Sequence, residues 1–230
     1  RDGVWLDLPT TTEQVQVALR QIGISSDNPQ GLFISGYFAE EEKRFAISYN
    51  MVLASNVDEL NFLASRLETL STGERAELNA ALQAPQSELF SIGRITDFPE
   101  NVDYYVHLPD VHGPAQLGDY YLNRSGMVNM PEEWKGGIDT AQFGRYVAQQ
   151  EQGAFTQYGY LVKSGDEWQK VHEGQPVPEE YRVLSFPAPE VLRDSANIPP
   201  PVQPETEPQK VIPIILNGKD SAERMKEITD

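Results

Sequence analysis

The chain has 230 residues, 39% of them hydrophobic and 10% aromatic, too apolar for a disordered polyampholyte and enough to bury a core. Its 35 acidic and 18 basic residues leave a formal charge of -17, which repels nucleic acid and anionic membranes and draws in cationic partners. The absence of cysteine excludes a disulfide scaffold, thiolate metal sites and a cysteine nucleophile.

Val4–Leu8 reads as a short strand stopped by Pro9. Thr10 or Thr11 caps a helix whose buried stripe is Val15, Ala18, Leu19 and Ile22, with Gly23 at its end. Leu32–Phe38 and Phe45–Tyr49 read as two further strands around an acidic loop. From Asn56 the pattern turns helical. Asn56 and Glu59 stand at capping-box spacing, and Leu60, Leu63, Ala64 and Leu67 recur at helical intervals. Ser71 and Glu74 open a second helix through Leu82, and a shorter one is expected around Ser87–Ile92.

Tyr104–Leu108 reads as a strand, followed by a helix carrying Leu117, Tyr120, Tyr121 and Leu122 and ending near Gly126. Another helix is expected from Asp139 through Gln150, with Phe143, Tyr146 and Val147 on one face. Thr156–Lys163 and Glu167–His172 look like a hairpin joined at Ser164-Gly165-Asp166. Residues 187–209 hold seven prolines and almost no apolar periodicity, the composition of a semi-extended linker. Val211–Leu216 and a helical stretch from Ser221 resemble the start of something new. The amphipathic pattern there runs to Asp230 without a C-cap signal, so the natural chain is expected to continue into another domain. The expected architecture is α+β and elongated, in three small units: 1–55 (α+β), 56–98 (mainly helical) and 99–186 (α+β). A Pro-rich linker over 187–210 and the beginning of a further domain at 211–230 follow.

Chemistry is sparse. His107, His112 and His172 lack partners at metal-ligand spacing, and no nucleophile elbow, phosphate loop or dinucleotide fingerprint is present. Adjacent acids such as Glu41-Glu42, Asp166-Glu167 and Glu179-Glu180 are expected by chance among 35 carboxylates. A carboxylate-pair hydrolase would need two of them facing across a cleft. No cofactor and no enzymatic activity are expected. No stretch reaches the roughly 20 apolar residues of a spanning helix, and the N-terminus lacks a signal pattern, so a cytoplasmic protein is expected.

The acid excess is spread out: net -7 over residues 1–90, -5 over 91–153, -3 over 154–190 and -2 over the remainder. Such a distribution permits an extended negative surface, since B-DNA carries one charge per about 1.7 Å. It is equally compatible with mere solubility.

Several phrases stand in the order of a known family. Gly3-Val4-Trp5-Leu6-Asp7-Leu8-Pro9 with its Thr-capped helix, Asn56–Ala64 as a D-E-L-N-x-L-A helix start, and Leu117–Leu122 and Met127–Pro131 leading into Phe143-Gly144-Arg145-Tyr146 resemble the ArdA antirestriction proteins. The resemblance covers residues 3–186. It departs at Ile34-Ser35-Gly36-Tyr37-Phe38, where the family carries an acidic I-T-D-Y-E type motif. It implies a curved three-part α+β protein of mobile elements that imitates DNA and occupies the DNA-binding groove of type I restriction-modification enzymes, as a homodimer. Met130, Pro131, Phe143, Gly144, Arg145 and Tyr146 would then form the signature and dimer contact, with Phe143 and Tyr146 equally readable as core. Arg145 is read as bracing a carboxylate. The acids expected to imitate phosphates are Asp7, Glu40, Glu41, Glu42, Glu68, Glu74, Glu77, Glu88, Asp97, Glu100, Asp103, Asp110, Asp119, Glu132, Glu133 and Asp139. The alternative is an acidic adaptor module of a larger mobile-element protein.

Overall fold

A computed structural model describes residues 3–24, 32–39, 44–85, 87–184 and 210–216. The chain is α+β, as its periodicities imply, and forms two compact units: Arg1–Glu68 with Gly174–Asp230, and Thr69–Glu173. The proline-rich stretch over 187–209 and the helical pattern from Ser221 lie outside the described residues.

The first unit begins with β1 (Leu6–Leu8), whose Leu6 and Leu8 point inward while Asp7 faces out. Helix α1 (Thr12–Gln21) starts at Thr11, which closes a capping box with Gln14; Val15, Ala18 and Leu19 fill its buried stripe. Strand β2 (Leu32–Phe38) and β1 flank β6 (Lys210–Leu216), both parallel to it. The expected strand at Phe45–Tyr49 is absent. Residues 44–48 carry no regular structure and Tyr49–Leu53 form a short helix, α2. Side chains replace the ladder here: the Tyr37 hydroxyl donates to the Ile47 carbonyl at 2.7 Å, and that of Tyr49 to the Ser35 carbonyl at 2.8 Å.

Helix α3 (Val57–Glu68) has the reciprocal Asn56–Glu59 cap at 2.9 and 3.1 Å. Its polar residues bind distant chain. Asp58 Oδ1 accepts the backbone N–H groups of Val183 and Leu184 at 2.7 and 2.8 Å. The buried Asn61 accepts from Thr10 N at 2.6 Å and donates to the Tyr181 carbonyl at 3.0 Å, beside a Phe62–Tyr181 ring contact of 4.6 Å. The D-E-L-N phrase is therefore a structural clasp that satisfies backbone groups lacking a ladder.

The second unit opens with α4 (Thr72–Gln83), capped by Ser71 and Glu74. Helix α5 (Ile92–Thr96) stands later than the expected Ser87–Ile92 helix and is capped by Ser91. Strand β3 (Tyr105–Leu108) follows, then α6 (Pro114–Asp119), which continues into a π-helical turn over Tyr120–Arg124. Helices α7 (Glu132–Lys135) and α8 (Thr140–Glu151) precede the hairpin β4 (Ala154–Thr156) and β5 (Gly159–Lys163). The antiparallel sheet has the order β3-β5-β4. Leu117, Val111 and the fully buried Tyr160 centre its core.

The expected hairpin partner at Glu167–His172 is not a strand. Its backbone N–H groups go to buried side chains: Gln169 N donates to Asn101 Oδ1 at 2.7 Å, and His172 N and Glu173 N donate to the two oxygens of Asp97 at 2.6 and 3.2 Å.

Candidate functional site

The sixteen candidate acids meet four fates. Asp7, Glu68, Glu100, Asp103, Asp110, Glu132, Glu133 and Asp139 are exposed. Glu40, Glu41 and Glu42 lie outside the described residues. Glu74, Glu77, Glu88 and Asp119 are half-buried, and Asp97 is fully buried at 0% exposure. Asp97 is thereby removed from the surface set: its carboxylate holds the 172–173 backbone and has no face toward a partner. The exposed Glu13, Asp166, Glu167, Glu179 and Glu180 stand at the surface as fully as the candidates do. Their place in turns and first helical turns was the available signal.

Local chemistry occupies several of the rest. The Glu74 carboxylate accepts from Ser71 N at 2.7 Å, and the hydrogen bonds of this cap hold its pKa below the usual range. Asp139 caps α8 through Ala141 N and Gln142 N at 2.9 and 3.0 Å. Glu88 is gripped by Lys163 at 2.6 Å and by Arg94 at 3.1 Å, and the Lys163 hydrogen bond leads in lowering its pKa. Arg94 itself is buried between Glu88 and Glu173, with its guanidinium over the Phe90 and Trp168 rings.

Ion pairing consumes much of the positive charge in this unit. Arg94, Arg124, Lys135, Lys163 and Lys170 each lie within 3.6 Å of a carboxylate oxygen of the same unit. Residues 69–173 carry a formal charge of -8. With these cations held against their own acids, the outward field is left to the unpaired carboxylates. Arg145, read as a carboxylate brace, is instead exposed and makes no ion pair among the described residues.

Glu77 behaves differently. Its Oε1 is buried without a hydrogen-bond partner. Burial, followed by the neighbouring Glu74 and Asp103 charges, pushes its pKa up to about 8. At neutral pH it is therefore largely protonated and a poor phosphate mimic. Below about pH 4.5 folded and unfolded states both hold this proton. Between there and about 8 only the folded state does, so stability falls as pH rises through that window. Glu77→Gln, neutral at every pH, is expected to flatten this slope and to be more stable at pH 8 by about 1–2 kcal/mol, after allowance for solvent screening. Melting curves from pH 5 to 9 check it; parallel slopes for both proteins would refute the assignment.

The signature residues divide between core and surface. Gly144 is buried where α8 crosses α6: an added Cβ would overlap the Pro114 carbonyl oxygen and lie 2.7 Å from Gly118 N. Reciprocally, a Cβ on Gly118 would overlap the Thr140 carbonyl oxygen. Gly144 is therefore a packing residue inside one chain and not a contact between chains. Phe143 and Met130 are half-buried, and Pro131, Arg145 and Tyr146 are exposed. Near them in sequence, Trp134 (67% exposed) and Met127 (74%) join Tyr146 (60%) as large apolar side chains open to solvent. Inside, the Tyr121 and Tyr160 hydroxyls both donate to Glu151, tying the end of α8 to the sheet and to the π-helical turn. Desolvation, then the Glu151 hydrogen bond, raises both tyrosine pKa values.

A family model described as antirestriction protein (ArdA) matches residues 1–162. The chain belongs to the ArdA antirestriction family. The match includes β1, both capped helices α3 and α4, and the α6–α8 crossing, so every phrase that carried the resemblance up to Tyr146 lies inside it. No curated protein gives a significant match. Within the antirestriction fold, the described residues hold no group of three His, Cys, Asp or Glu able to bind a metal ion. No helix among them is long and apolar enough to cross a membrane.

Proposed function

We propose that this antirestriction protein acts by binding, without catalysis, as a DNA decoy in the cytoplasm. It occupies the basic DNA-binding groove of type I restriction-modification enzymes. The observation that carries this reading is the disposition of charge in residues 69–173. Glu100, Asp103, Asp110, Glu133 and Asp139 are exposed on separate elements, while five basic side chains, Lys135 on Glu132 among them, are drawn onto carboxylates of their own unit. Each exposed charge contributes little alone, and many acting on a preformed basic groove supply affinity and a fast approach. The exposed Met127, Trp134 and Tyr146 serve as the homodimer contact alongside Met130, Pro131 and Phe143.

Binding to a purified type I enzyme is expected to weaken steeply with salt and to be displaced by duplex DNA. Reversing Asp103, Asp110 and Glu133 to lysine together should weaken it by roughly 10- to 150-fold, at about 0.5–1 kcal/mol per site. Salt-independent binding, or no competition from DNA, would rule out the decoy and favour the adaptor reading. Trp134→Glu with Tyr146→Glu is expected to convert a dimer into a monomer in light scattering while leaving the circular dichroism spectrum unchanged.

A further inference from the structure

In the first unit, a groove of about 320 Å³ runs between Val4–Asp7 and the flank of α1 formed by Glu13, Gln14 and Val17. Four observations meet there. Strand β1 pairs with β6 on one side, and its other edge carries no ladder among the described residues. Such an edge offers unpaired backbone groups to an incoming chain. Trp5 lines the groove, and its indole Nε1–H is buried without an acceptor, although buried indoles normally have one. Val17 leaves apolar surface on the opposite wall at 45% exposure. The rim carries the exposed carboxylates Asp7 and Glu13, and among the described residues no basic side chain lines the groove.

We propose that this groove receives an extended segment of alternating apolar and basic residues from a partner protein, added as a further strand on the outer edge of β1. The geometry sets the alternation. Leu6 and Leu8 face the core and Asp7 faces out, so an added strand in register places apolar side chains beside the leucines and Val17 and basic ones beside Asp7. The added strand lies against the Trp5 side chain in the groove wall and changes the surroundings of its indole N–H. Val4–Asp7 spans roughly 10 Å, room for three or four residues of an extended chain. A second copy of β1 fits poorly, because it brings Asp7 against Asp7, and like charges directly opposite are destabilising. The inference rests on the reading above only in taking the partner to be basic.

The test uses the full chain, labelled with nitrogen-15, and the peptide acetyl-Lys-Val-Lys-Val-Lys-Val-Lys-amide. The expected result is a shift of the Trp5 indole N–H signal, with slowed exchange of the amides of residues 4–8. Asp7→Lys and Val17→Lys should each weaken this binding about tenfold. A peptide with serine in place of valine keeps the charge and should leave the Trp5 signal in place. Shifts scattered over acidic residues without Trp5, or equal binding by the variants, would overturn strand addition. Both substitutions are at exposed positions, and an unchanged far-ultraviolet spectrum verifies folding. No restriction enzyme is involved, so failure here leaves the decoy reading standing, and loss of DNA competition leaves strand addition standing.

Discussion

Gly144→Ala is expected to destabilise the Thr69–Glu173 unit by roughly 3 kcal/mol, lowering its melting midpoint by roughly 10–15 °C. Helices α6 and α8 meet backbone against backbone. The space beside the Gly144 Cα is filled by the Pro114 carbonyl, with Gly118 N at 2.7 Å and the Pro114 carbonyl carbon at 2.8 Å from where a Cβ would stand. Neither is the movable end of a side chain, so relief requires the helices to part. Separation would loosen Leu117 from the Tyr160 core and strain the Glu151 bonds to Tyr121 and Tyr160. The helix propensity gained by alanine, about 1 kcal/mol, does not offset this. Gly73, in the first turn of α4, is the internal control: nothing lies within 4 Å of its Cβ position. Gly73→Ala should be neutral or stabilising. Calorimetry of the two variants decides the matter, and an unshifted Gly144→Ala midpoint would contradict the close crossing. A fall in antirestriction activity on changing this glycine would accordingly report lost packing and not a lost partner contact.

Removal of the Asp97 carboxylate should have a comparable effect. Asp97→Ala leaves His172 N and Glu173 N without their acceptors, now at 2.6 and 3.2 Å, in a place where Asp97 is inaccessible to water. Losing two acceptors for such donors costs about 2–4 kcal/mol. Asp97→Asn keeps one acceptor oxygen but turns an amide donor toward the other N–H, so its loss should be intermediate. Urea unfolding gives the order wild type, Asn, Ala. If both variants matched the wild type, the 172–173 segment would be held by other contacts. Because Asp97 has no exposed surface, Asp97→Asn should leave the salt dependence of enzyme binding unchanged, unlike reversal of Asp103 or Asp110.

The elements legible in the residues are those whose determinants lie within one or two turns. Thr11 with Gln14, Asn56 with Glu59, and Ser71 with Glu74 close caps over three residues. The apolar stripes between them match the helices that form. Such signals act through local backbone geometry and survive any tertiary context. The two failed strands show the opposite case. Phe45–Tyr49 alternates like a strand and Glu167–His172 follows a turn like the second arm of a hairpin, yet either needs a ladder partner to become part of a sheet. In the fold, tyrosine hydroxyls bind the first region and its neighbouring strand, and Asn101 and Asp97 take the N–H groups of the second.

The candidate surface divides along the same line. The abundance and spread of carboxylates, the absence of cysteine and the ordered phrases of the ArdA family were all determined by the sequence alone, because they are properties of composition and order. What each carboxylate does was decided by tertiary structure. Asp97 and Asp103 sit six residues apart with the same chemistry, yet one is sealed beneath the 172–173 backbone and the other faces solvent. Glu74 and Glu77 share one helix, and one caps it as an anion while burial keeps the other protonated. A carboxylate's charge depends on the dielectric and the donors around it. Those are supplied by chain up to 75 or 76 residues away in the case of Asp97, a distance over which no local pattern reaches.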